Sequence, residues 1–258
     1  MSALSILIAP GLRPLWIVGT CGFLLSAAAL APASLVAAIA KSRAPLLEIG
    51  SSRGTLWRGA FLDVAYNEIL LGDISFEVRP LSLLTGSLAI DASSRGGALS
   101  ATGRAYLSPF SVEFRDTTAQ FNLGAIRHYT FFGARYQGSA RLEAKSLRIH
   151  RSGCHATDAR IATDALDTLS RRWSGAAFPL MGDITCADGE LHLNMSGRNE
   201  SAIADMAVSV KPDMSYTIGL TAEPARKEIG DALRVFGFEG DGGKMSWRAV
   251  GRLKGIKS

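Results

Sequence analysis

No run of five or more like charges interrupts this 258-residue chain. Its 28 basic and 23 acidic residues stand singly or in pairs, as at Arg171-Arg172. An excess of +5 spread so thinly describes a generally solvated surface and offers no nucleic-acid patch. Histidine is scarce, with only His128, His150, His155 and His192, and of these only His155 neighbours a cysteine. Cys154, His155, Cys186 and His192 match no compact zinc spacing. No Gly-x-Ser-x-Gly elbow is present. The glycine-rich stretch Glu239–Lys244 fails as a phosphate loop, because Phe238 replaces its first glycine and Met245 its Ser or Thr. It reads as a hairpin turn. Asp183, Asp188 and Glu190 lie beside glycines, where acids are ordinarily turn residues. The Asn-x-Ser triplets at Asn194 and Asn199 matter only in a glycosylating secretory pathway, and the first sits in an expected strand. The chain therefore offers no catalytic, cofactor-binding or metal-ligating group, and the expectation is a protein that is not an enzyme.

Cysteine numbers three. Cys21 lies in an apolar segment and acts there as a small apolar residue. Cys154 and Cys186 form an even pair outside it. In a translocated domain such a pair reads as a disulfide, closing a loop of about 30 residues; the competing reading is two unrelated buried thiols.

Charge is missing altogether from Pro14 to Ala40. A run of this length exceeds the roughly 20 apolar residues that a bilayer crossing needs. Arg13 precedes it, and Lys41 and Arg43 follow, a flank pattern that leaves orientation open. Two readings fit: an uncleaved signal anchor, or a cleaved signal peptide with Ala38 and Ala40 before the cut. The run is longer than a signal-peptide core of about 7–15 residues, which favours the anchor. Pro32 is expected to kink the helix without preventing insertion.

What the remainder does contain is alternation. Ile74, Phe76 and Val78 alternate with Ser75, Glu77 and Arg79, ahead of a stop at Pro80 and a further apolar run to Ile90. The same pattern returns around Phe114, Phe121, Leu142, Leu193, Val208, Ile218 and Trp247. Side chains of a strand point to opposite faces in turn, so each set predicts an antiparallel strand with one covered face. Helical spacing is rare, with one helix expected over Pro224–Phe236 and a shorter one over Asp164–Arg172. The fold class that follows is mainly β: an N-terminal transmembrane helix, then an extended, curved, mostly antiparallel sheet with one or two short helices. Trp57-Arg58-Gly59-Ala60 ahead of Gly72-Asp73 is echoed by Trp173-Ser174-Gly175-Ala176 ahead of Gly182-Asp183. The echo divides the sheet domain into two similar units, 54–160 and 165–258.

These residues carry a resemblance. An N-terminal anchor, then Gly-Thr-Leu-Trp-Arg-Gly from Gly54, then the stretch from Gly72 through Pro80 and Leu83 to Gly86, resembles protein N of the bacterial type II secretion system. Phe76 stands where that family favours tryptophan. The resemblance implies an inner-membrane protein with residues 1–13 cytoplasmic, 14–40 a signal anchor, 41–53 a linker and 54–258 a periplasmic β domain. It implies an accessory role in exporting folded proteins, with other secretion subunits as partners. It names Gly54, Trp57, Gly59, Gly72, Pro80, Gly86 and Trp173 as structural residues. The family is also similar to AsmA-like envelope proteins, which implies a second function, lipid binding or transfer in an apolar groove.

Overall fold

A computed structural model describes residues 13–125, 130–131, 134–135, 137–241 and 243–252. Two helices open it, α1 (Arg13–Leu30) and α2 (Ala33–Arg43). Strands follow: β1 (Leu47–Gly54), β2 (Arg58–Tyr66), β3 (Ile69–Arg79), β4 (Leu88–Gly96), β5 (Leu99–Leu107) and β6 (Ser111–Asn122). A 3-10 turn, η1 (Pro80–Thr85), joins β3 to β4. Two-residue strands β7 (Thr130–Phe131) and β8 (Ala134–Arg135) pair only with each other. The chain continues through β9 (Ser139–His150), β10 (Gly153–Thr163), α3 (Asp167–Ser174), β11 (Leu180–Ala187), β12 (Glu190–Arg198), β13 (Ala202–Val210) and β14 (Ser215–Pro224). It ends with α4 (Lys227–Val235) and β15 (Met245–Arg252).

Apart from β7 and β8, all strands form one 13-stranded sheet in chain order. Neighbours are antiparallel throughout, and β1 and β15 are separate edges, so the sheet is open. Register places one apolar row after another on a single face. Phe76 meets Ala92, Ala105 meets Phe114, Phe114 meets Leu147, Ile161 meets Leu142, and Leu193 meets Val208, which meets Ile218. Within β6 the alternation changes phase between Phe114 and Ala119. The cause is an extra residue: pairing with β5 shifts between Thr102 and Arg104, and Asp116 takes φ of 47°. A bulge of this kind restores both apolar runs to the same side.

The apolar face is covered in patches. At its first edge α2 lies over β1 and β2, burying Ala37 against Ile49 and Val64. Phe178, ahead of β11, covers Leu180 and Met195. At the last edge α4 lays Ile229 and Leu233, one helical turn apart, on Ala222 and the fully buried Met245. Between these covers Ile90, Ala105, Phe114, Phe121 and Leu147 are only half-buried, and no helix lies over them among the described residues.

Several boundaries differ from the sequence reading. The uncharged run 14–40 is not one helix. Pro32, extended at φ −74° and ψ 150°, separates α1 from α2, and α2 turns back onto the sheet. The 18 described residues of α1 span about 27 Å. Among the described residues no helix is long and apolar enough to cross a membrane. The expected linker 41–53 holds most of β1, an edge strand that turns Leu47 and Ile49 to the covered face before continuing as the polar Gly50–Arg53. Pro224 ends β14 opposite Ala202, and the helix expected from it begins only at Lys227. The other expected helix runs over Asp167–Ser174 in place of Asp164–Arg172. Trp57 sits in a turn before β2 while Trp173 lies within α3, so the two Trp-Gly signals occupy different kinds of structure.

The opposite face is a lattice of charge. Arg58 bonds Glu77 across β2 and β3 at 3.2 Å. Arg79 and Arg104 approach Asp91 from either side at 2.6 and 2.7 Å. Arg115 and Arg148 share Glu113 at 2.5 and 2.8 Å. Burial pushes the Asp91 carboxyl up, but hydrogen bonds and charge from Arg104 and Arg79 outweigh it and hold the group below its ordinary value. For Glu113 the Arg115 hydrogen bond lowers the value most, burial opposes it, and Arg148 adds to the lowering. Both carboxyls therefore contribute stability above their unfolded values, near 3.8 and 4.5, and lose it as pH falls toward the lower folded values. Comparing wild type with Asp91→Asn/Glu113→Gln by thermal unfolding, we expect a deficit at pH 7 that shrinks below about pH 4.5. A deficit unchanged down to pH 3 would count against these pairs.

Candidate functional site

The structural residues named from the sequence mostly gather at one end of the sheet, where the N-terminal helices join it. Gly54 closes β1 directly opposite Gly59 of β2. Its φ of 87° belongs to glycine, and a Cβ there would overlap the Arg58 carbonyl oxygen. The Thr55 hydroxyl accepts the backbone N–H groups of Trp57 and Arg58, both at 3.3 Å, which shapes the turn. The Trp57 indole N–H donates to the Ala28 carbonyl at 2.9 Å, near the end of α1. Beside it Leu56 N–H donates to the Ala31 carbonyl at 2.7 Å, and Pro32 forms a bridge with Thr55. Gly59 then permits α2 to come down, since a Cβ would lie 2.8 Å from the Arg53 carbonyl oxygen and 3.1 Å from the Ala33 Cβ. The Gly-Thr-x-Trp-x-Gly spacing is thus a fitting that ties two helices to a sheet edge.

One strand away, Val78 N–H donates to the Trp57 carbonyl at 2.7 Å, and Pro80 opens η1 immediately after β3. A proline suits a first helical position because its N–H would be unpaired there. Ser82 Oγ donates to the Arg79 carbonyl and accepts from Ala89 N–H, both at 2.7 Å. Gly86 ends the turn with a bond to the Leu83 carbonyl at 3.0 Å. Gly72 lies elsewhere, opposite Gly96 near the far end of the sheet, and Trp173 lies in α3 at that same far end.

Cys154 and Cys186 are bonded, with Cα atoms 5.4 Å apart. The β10–β11 ladder stops at Ala159 and Ile184, so the covalent bond ties the two strands together past their last paired residues. The register shift beside Cys154 also brings His155 toward His150, with ring centroids 4.9 Å apart. Sequence spacing gave no sign of that contact. A shallow cavity of about 460 Å³ lies over β9–β11, lined by Arg141, Glu143, Arg160, Met181 and Asp183. Arg160 stands 3.5 Å from Asp183 in the open. Among the described residues no group of three or more His, Cys, Asp or Glu could hold a metal ion.

Comparison with known proteins adds identity to this geometry. The family described as type II secretion system (T2SS), protein N matches residues 45–248. The chain belongs to that family. It is similar to the type II secretion system protein N of Vibrio cholerae serotype O1, at 24% identity over 195 residues, covering 70% of this chain and 75% of that protein. No solved structure matches. The matched region opens just after α2 and takes in β1 to β14 and the first half of β15, so the protein N match is to the sheet with its turn fittings.

Two substitutions test the site. Gly59→Val should cost about 1–3 kcal/mol in denaturant unfolding, because its side chain meets the Arg53 carbonyl, the Phe76 ring and Ala33 of α2, while Gly219→Ala, with nothing nearer than 3.9 Å, should not. Equal behaviour of the two would dismiss the fitting. Cys154→Ser/Cys186→Ser should lower stability by roughly 3–4 kcal/mol in the chain-entropy model. A reductant should shift the wild type by the same amount and leave the variant unmoved.

Proposed function

We propose that this chain is a non-enzymatic accessory component of a type II secretion system, held in the inner membrane by its N-terminal segment with the sheet in the periplasm. There it contacts other subunits and supports the export of folded proteins across the outer membrane. The observation that carries the reading is the family match over residues 45–248. Two features support the address. The uncharged run 14–40 contains nearly all of α1, whose side chains are exposed wherever their placement is described. The Cys154–Cys186 bond suits an oxidising compartment.

A second reading is favoured by the middle of the apolar face. Half-buried rows from β4 to β9, over which no helix lies among the described residues, offer a surface for acyl chains, as the similarity to AsmA-like proteins implies. The two readings separate in one set of measurements. Deleting the gene should reduce export of the system's substrates, and protease added to spheroplasts should digest the sheet domain. Unchanged export would remove the secretion reading, and a protected domain would remove the periplasmic address. Stoichiometric lipid found by mass spectrometry on the purified protein would move the function to lipid handling.

A further inference from the structure

The connections at the two ends of the sheet differ in kind. One end carries α3, α4 and the longer links between strands. The other carries short turns, η1, and the joint to α1. At this second end the apolar residues point outward. Leu81 is 78% exposed, Leu83 52%, Leu84 86% and Phe110 68%. They form neighbouring parts of one surface: η1 leads into Leu88, Leu88 pairs with Leu107, and Phe110 lies in the turn that follows. No charged residue occurs from Pro80 to Ile90, or in the turn 108–110. The guanidinium of Arg151 stands 5.7 Å above the Phe110 ring, at the rim of the patch.

The position of α1 decides what meets this surface. Trp57 holds the end of α1 by the Ala28 carbonyl, and the Trp57 carbonyl in turn accepts Val78 N–H, two residues ahead of η1. The end of α1 is therefore fastened just ahead of β2, the strand beside the one that runs into η1 and its leucines. A bilayer that receives α1 also receives this end of the sheet. The turn suits that environment. Ser82 and Thr85 hydroxyls donate to the Arg79 and Ser82 carbonyls, and Ser82 also accepts Ala89 N–H, so both hydroxyls are paired within the turn. A segment entering the acyl boundary needs that internal pairing.

We propose that η1 and the 108–110 turn form a second membrane contact, in which Leu81, Leu83, Leu84 and Phe110 enter the interfacial layer of the bilayer while Arg151 stays at headgroup level. The contact seats the sheet upright on the membrane and fixes its rotation about the anchor. It rests on the anchor part of the proposed function and not on the role in secretion.

The test uses the full chain in vesicles of phosphatidylethanolamine and phosphatidylglycerol. An environment-sensitive fluorophore is placed at Leu84→Cys, at Phe110→Cys or, as a control at the far end, at Glu200→Cys, each with Cys21→Ser. The first two labels should shift to the blue and be quenched severalfold more by shallow nitroxide lipids than the label at position 200. Vesicle-bound protein whose label at position 84 is neither shifted nor quenched overturns the contact and leaves the anchor standing. A blue shift without lipid quenching means that a second copy or another protein covers the patch, and it also overturns the contact. Protein that fails to float with the vesicles removes the anchor and the contact together. Loss or retention of substrate export changes none of these outcomes.

Discussion

Side chains in a strand have a period of two, and an open sheet thirteen strands wide holds together only if that period stays in phase across every ladder. A single unabsorbed residue would turn the apolar row of one strand onto the charged face of its neighbours. The chain handles this locally. The extra residue of β6 at Asp116 is matched by a shift opposite β5, and another shift sits between Asp158 and Ala159 of β10. The result is one face of Phe, Leu, Ile and Ala and one face of crossed ion pairs. The ion pairs span neighbouring strands, as Arg104 to Asp91 and Arg148 to Glu113 do, so they favour the same register that the apolar rows require.

With the register fixed, what remains is coverage. Three small lids of different origin protect three parts of the apolar face: α2, the segment carrying Phe178, and α4. The first of these links the sheet to the proposed anchor. Gly54 and Gly59 bring β1 and β2 close enough for Ala33 to land, and Trp57 fastens the preceding helix through a backbone carbonyl. A hydrogen bond of that kind contributes only about 1 kcal/mol. Its consequence is directional, since it sets where the chain leaves the sheet and so which end the proposed anchor brings to a membrane.

Much of this was legible in the sequence because it is local. Alternation predicted the strands around Phe76, Leu193, Val208 and Ile218, and the glycines and proline of the first motif announced the turns that the structure contains. The failures share a cause. β1 escapes the pattern because in Leu-Glu-Ile-Gly-Ser-Ser-Arg-Gly only Leu47 and Ile49 alternate before the edge strand turns polar. Pro224 reads as a helix start by local preference, but its position opposite Ala202 gives it to the last ladder pair of β14. Trp173-Gly175 repeats the letters of Trp57-Gly59, yet in it glycine ends a helix. The approach of His155 to His150 depends on a register shift, and the cluster of Leu81, Leu84 and Phe110 on which turns share an end of the sheet. Those are long-range facts that spacing does not encode.

An open sheet also has two edges, and unpaired edges invite further strands. Both are partly occupied here. Lys41 of α2 donates its ammonium to the Ile49 carbonyl of β1 at 2.9 Å. At the other edge Glu239 exchanges two backbone bonds of 2.8 Å with Ser246 of β15. The same two segments that cover apolar surface at the ends therefore also reduce the exposed backbone. Among the described residues the later part of β15 has no partner on its outer side, and there Arg248 and Arg252 alternate with Trp247, Ala249 and Gly251 on the other face. Cationic side chains along an edge discourage self-pairing, because a second copy would bring the same charges together. A sheet that neither closes on itself nor is covered edge to edge can in this way remain a discrete unit, with one end free to face the surface from which α1 departs.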